Sequence, residues 1–112
     1  MSLVALGGAI GSVLRFATAQ AVPFPLGTLT VNVAGSFLIG LFFVVLAGRA
    51  WAQPLVLTGI LGGFTTFSAF SLDTLRLVEG GRALAAGGYV VASVALSLGA
   101  CALGVMAGRV SA

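Results

Sequence analysis

The stretch GGFTTFSAF, residues 62–70, lies inside an apolar segment long enough to cross a membrane, yet it is unlike a plain spanning helix. Two adjacent glycines are followed by Thr65, Thr66 and Ser68, threaded among Phe64, Phe67 and Phe70. A helix interior disfavours glycine by about 1 kcal/mol relative to alanine. Gly62 and Gly63 followed by two threonines therefore predict a break in the helix at mid-membrane. Irregular backbone at that depth is tolerated only where protein or a cavity covers it. Carbonyls freed at such a break are oxygen ligands for a cation, and a buried cation would offset the cost of bringing an anion nearby.

Composition sets the surroundings of this stretch. Of 112 residues, 60% are hydrophobic and 6% charged, against about 25% charged in a soluble domain. The chain is short enough to be one unit, and a lipid bilayer is the solvent its surface fits. Its charges are Arg15, Arg49, Asp73, Arg76, Glu79, Arg82 and Arg109, for a net charge of +3 with no histidine. No basic patch exists to neutralise phosphates, so nucleic acid is excluded as a partner. The single Cys101 cannot form an internal disulfide and reads as a small buried hydrophobe.

A span needs about 20 mainly apolar residues, and the prolines and charges divide the chain into four, over residues 3–22, 26–47, 55–75 and 83–107. All four are expected to be helices, because a lone strand in lipid leaves its backbone polar groups unsatisfied. The first has no basic flank and is followed by three more spans, so it is not expected to be a cleaved signal peptide. Arg49 and Arg109 fall on one side of the membrane, Arg76 and Arg82 on the other. That balance sets no orientation by the positive-inside rule. It permits a chain that inserts both ways round and pairs antiparallel with itself, and equally a fixed topology blurred by few charges.

Small residues four apart let helix backbones approach in lipid. Each span carries one such pair: Gly7 and Gly11, Ser36 and Gly40, Gly59 and Gly63, Gly104 and Gly108. Tight bundling follows, without revealing which contacts lie between subunits. Polar stripes run along three spans, at Thr28, Asn32 and Ser36, at Tyr89, Ser93 and Ser97, and through the third span at Thr65, Thr66, Ser68 and Ser71. Hydroxyls in such stripes commonly bond their own helix or join helices. Asn32 is harder to satisfy that way. Three stripes can instead line one narrow wet route, and donor-rich hydroxyls and amides without an acidic ring suit an anion. Phe67 and Phe70 are either packing or rings whose positive edges face a small anion. No paired carboxylates, histidine or nucleophile–base set is present, so an enzyme is not expected.

At these residues the chain resembles the Fluc (CrcB) family of small bacterial fluoride channels along essentially its whole length. The matching segments are GGAIGSVLRF (7–16), GTLTVNVAGSFLIG (27–40), GGFTTFSAFSLD (62–73), and Tyr89 with Ser93 and Ser97. The resemblance implies an all-α integral membrane protein of the inner (plasma) membrane, assembled as a dual-topology antiparallel homodimer. Two parallel pathways would export cytoplasmic fluoride and relieve its toxicity. The fluoride pore would be lined by Phe67, Phe70, Asn32 and Ser68, flanked by Tyr89, Ser93 and Ser97. Arg15 would stand at the aqueous vestibule. Backbone carbonyls of Gly62 and Thr65 would hold a structural sodium ion at the dimer centre. Three positions depart from the family pattern: Ala69 where threonine is usual, Asp73 for glutamate, and Phe16 for tyrosine. Ala69 removes a hydroxyl, which bears on transport rate. Two other classes fit a chain this size: a four-helix multidrug exporter, which would carry a glutamate in its first span, and a non-transporting assembly subunit. This chain has no acidic residue before Asp73.

Overall fold

The computed structural model describes residues 1–111. Helix α1 covers Ser2–Ala21 and α2 covers Leu26–Val45. Helix α3 begins with π-helical winding over Gln53–Leu61 and continues through one α-helical turn, Gly62–Phe64. Thr65 and Thr66 are extended, with φ/ψ of −81°/156° and −152°/125°. Helix α4 then runs over Phe67–Glu79, and α5 over Ala83–Ser111. Taken with Gln53–Glu79 as one span, four helical segments among the described residues are long and apolar enough to cross a membrane.

The glycines of the opening stretch are helical. Gly62 has φ −64° and ψ −37°, and the two extended residues follow one turn later. Gly63 serves a different purpose: a methyl group on it would lie 2.9 Å from the Gly8 carbonyl oxygen and 3.1 Å from the Gly8 Cα. Its missing side chain is what admits α1.

Backbone-to-backbone contact of this kind organises the bundle into two helix pairs. On α1, a Cβ at Gly7 would overlap the Leu55 carbonyl, and one at Gly11 would overlap the Ile60 carbonyl. Four residues along α1 thus step against five along α3. The π winding, with its i→i+5 bonds, keeps the two in register. On the other side α2 and α5 interlock reciprocally: Gly40 abuts the Cys101 carbonyl, Gly104 abuts the Phe37 carbonyl, and Gly108 meets Val44 and Leu41. The glycines of the small-residue pairs seen in the sequence are therefore used within the chain, α1 on α3 and α2 on α5.

Few large side chains are enclosed by this arrangement. Val31 and Leu77 are the largest that are fully buried, whereas Val13, Phe16, Phe43, Leu84, Val91, Leu98 and Val110 all stand exposed. Water would penalise such a surface, but hydrocarbon does not. Exposed hydroxyls are satisfied along their own helices: Thr18 donates to the Leu14 carbonyl, Thr30 to Leu26 and Ser71 to Phe67. Helix-internal bonding thus accounts for Ser71.

Candidate functional site

The link between α3 and α4 is held open by a side chain distant in sequence. The Asn32 amide of α2 donates from Nδ2 to the Thr66 carbonyl at 2.9 Å, and its Oδ1 accepts the Thr66 N–H at 2.7 Å. It brackets one residue as a neighbouring strand would. In an uninterrupted helix that N–H would bond the Gly62 carbonyl. A second diversion follows, because the Ala69 N–H donates to the Thr66 hydroxyl at 3.1 Å, an N-cap bond that starts α4. That N–H would otherwise serve the Thr65 carbonyl. The Gly62 and Thr65 carbonyls thus lose their helical donors to Asn32 and Thr66. Gly63 is treated differently, since Arg15 Nε donates to its carbonyl at 3.0 Å.

Beside this link lies a groove of about 420 Å³ lined by Asn32 and Ser36 of α2, Thr65, Thr66, Phe67 and Phe70, and Ser93 and Ser97 of α5, with Ile39, Val94 and Leu98 closing its apolar side. Among the described residues no charged side chain lines it. The Phe67 and Phe70 ring centroids are 5.6 Å apart with planes tilted by 50°. Phe67 is 78% exposed in the single chain, so the groove has an open flank. Ser93 is 5% exposed, and its Oγ is buried without a hydrogen-bond partner among the described residues. Leaving a buried hydroxyl unpaired costs about 1–3 kcal/mol, a cost that a polar occupant of the groove would remove.

Of the residues singled out from sequence, Asn32, Thr65, Phe67, Phe70, Ser93 and Ser97 come together on this groove. Ser68 lies outside its lining and shares a 3.2 Å hydrogen bond with the Thr66 hydroxyl. Tyr89 stands behind the groove, its ring 5.4 Å from that of Phe70 and its hydroxyl donating to Asp73 Oδ2 at 3.3 Å. Arg15 and Gly62 are at the link rather than on the groove wall. Thr66 and Ser36 belong to the site and were seen only as members of polar stripes. Thr66 carried one local signal, a threonine just before a resumed helix.

Comparison with known proteins places the chain. Residues 2–105 match the family described as CrcB-like protein, Camphor Resistance (CrcB), and the chain belongs to that family. It is 55% identical over 108 residues to the fluoride-specific ion channel FluC of Rhizobium etli (strain CIAT 652), covering 88% of this chain and 86% of the relative. It is 51% identical over 113 residues to FluC of Paracoccus denitrificans (strain Pd 1222), covering 95% and 91%. FluC 1 of Nitrobacter hamburgensis (strain DSM 10229 / NCIMB 13809 / X14) is 47% identical over 118 residues, covering 96% and 93%. These relatives are named as ion channels, not enzymes. With its four apolar spans, the chain is a multi-pass membrane protein.

Proposed function

We propose that this protein is a fluoride-selective passive channel of the inner membrane that exports cytoplasmic fluoride. One observation carries the reading furthest: a buried, unpaired Ser93 hydroxyl on an uncharged groove that also presents the Phe67 and Phe70 rings. Hydroxyl donors and positive ring edges without a carboxylate favour an anion, and relatives about half identical are named for fluoride. Fluoride crosses membranes as neutral HF and is trapped as the anion in a more neutral cytoplasm. A selective anion leak lets the membrane potential expel it.

Two copies arranged antiparallel would cover the open flank at Phe67, giving two pores per dimer; the balanced arginines on the two faces permit this. A structural sodium ion fits the donor set, because neutral carbonyl oxygens suit a hard cation. The Gly62 and Thr65 carbonyls, deprived of helical donors by Asn32 and Thr66, are the residues that would hold it. Bound there, the ion would supply fixed positive charge at the dimer centre. Arg15 would add positive charge near the vestibule.

Proteoliposomes containing the purified protein should release fluoride, followed with an ion-selective electrode, faster than empty vesicles and with chloride largely retained. No release from a folded protein would overturn the channel, and equal chloride release would overturn its selectivity. Phe70→Ile is expected to cut fluoride flux by tenfold or more, about 1.4 kcal/mol in barrier, with assembly retained. Flux equal to that of the unmodified protein would remove the ring from the pathway. Prolonged exchange of sodium for a large organic cation should lower the melting temperature of the assembled protein; an unchanged transition would argue against an exchangeable ion.

A further inference from the structure

Phe67, Phe70, Asp73 and Arg76 recur every third residue of α4, so each neighbours the next along a row that winds half-way round the helix. The first two line the groove; the last two line a second, smaller cavity of about 180 Å³ with Thr28, Phe24 and Gly27. Helix α2 follows the same order, since Thr28 of the small cavity lies one turn before Asn32 of the groove. Between the cavities stands Tyr89, packed against Phe70 with the rings tilted, and bonded to Asp73. The small cavity is thus the next step along the same two helices, toward the end of the bundle where α1 joins α2 and α4 joins α5.

A carboxylate there opposes anion passage unless its charge is offset. Asp73 is 8% exposed, and its negative charge repels any anion leaving or approaching the groove. Arg76 is placed to cancel that field. Its Nη1 is 3.9 Å from Asp73 Oδ1, in Coulomb contact but too far for a hydrogen bond. Its guanidinium lies 4.2 Å from the centre of the Phe24 ring, a cation–π contact that fixes its position independently of Asp73. The side chain remains 57% exposed, and among the described residues no hydrogen bond occupies its N–H donors.

We propose that the small cavity is a mouth of the anion path and that Arg76 governs the rate at which small monovalent anions pass it, by neutralising Asp73. This rests on the channel reading above. Arg76 acts through Asp73 and the local field, as a positioning and electrostatic residue.

Fluoride efflux from proteoliposomes tests it with three variants at ionic strengths from about 0.01 to 1 M, across which the Debye length falls from about 30 to 3 Å. Arg76→Gln is expected to slow efflux about tenfold at the lowest ionic strength, with the defect shrinking as salt rises. Arg76→Lys, which keeps the charge and a cation able to sit over the Phe24 ring, should stay within about twofold of the unmodified protein. Adding Asp73→Asn to Arg76→Gln should restore most of the lost rate, a rescue that a purely structural arginine would not give. Size-exclusion elution of each variant reports whether it folds and assembles. Unchanged efflux in Arg76→Gln, or a defect insensitive to both salt and Asp73→Asn, overturns the proposal. If the unmodified protein itself releases no fluoride, the channel reading fails and takes this inference with it, whereas normal efflux in Arg76→Gln defeats this inference alone.

Discussion

Replacing Asn32 with alanine is expected to cut fluoride flux at least a hundredfold. Its amide supplies both hydrogen bonds that hold Thr66 extended, at 2.9 and 2.7 Å. Each group left unpaired away from water costs about 1–3 kcal/mol, so losing both destabilises the link by about 2–6 kcal/mol. The chain has an alternative to bearing that cost. The Thr66 N–H can turn back to the Gly62 carbonyl and extend α3 by a residue, which moves Phe67 on the helix wheel and takes away one of the two carbonyls assigned to the cation. Flux should collapse for that reason, with the four spans still inserted. Efflux within twofold of the unmodified protein would show that the link does not depend on Asn32.

Asn32→Asp sharpens the test. A protonated carboxylic acid reproduces the amide, with one O–H donor for the Thr66 carbonyl and one oxygen for the Thr66 N–H; an ionised carboxylate is acceptor only. The native link therefore favours the protonated form, which alone can make both bonds. Stability of this variant should rise as pH falls, because the proton that folding requires is then already bound. A melting temperature that does not respond to pH would contradict the two-bond geometry.

This dependence also shows what can and cannot be read from the chain alone. The spans were legible because hydrocarbon demands about 20 apolar residues and little else, and charges and prolines mark their ends. The groove was legible in outline because polar residues four apart must share a helix face. The position of the extended residues was not. Low helix propensity pointed to Gly62 and Gly63, yet both are helical, and Gly63 is a glycine because Gly8 of α1 lies against it. Helical bonding ends at Thr66 because a residue 34 positions away takes its N–H, and no local window contains that fact. The same holds for Asp73 and Tyr89, 16 apart, whose contact needs α4 and α5 to be placed first. Ser93 is the subtler case: its hydroxyl looked interchangeable with others that bond their own helices, and burial against the groove is what sets it apart.

Gly104→Ala is expected to be among the most damaging single-methyl changes in the chain. The added carbon would overlap the Phe37 carbonyl and lie 2.9 Å from the Leu41 nitrogen and 3.0 Å from the Phe37 carbonyl carbon. All three are backbone atoms of α2, so no side chain can swing aside, and the helices must separate. Overpacking of this kind costs about 1–3 kcal/mol where side chains can adjust, and here the upper end or beyond is expected. In lipid no hydrophobic force restores the contact once the backbones are parted. Thermal unfolding in detergent should show a large fall in transition temperature, and size-exclusion chromatography should show loss of the monodisperse peak. Gly99 on the same helix is the control, because none of the described residues lies within 4 Å of a methyl group added there. Alanine is the better helix former by about 1 kcal/mol, so a chain acting alone should tolerate or gain from Gly99→Ala. An unchanged transition in Gly104→Ala would refute the close α2–α5 approach. A loss at Gly99 comparable to that at Gly104 would mean that something outside the chain packs on that face of α5, and in a protein of this size the natural occupant is a second copy.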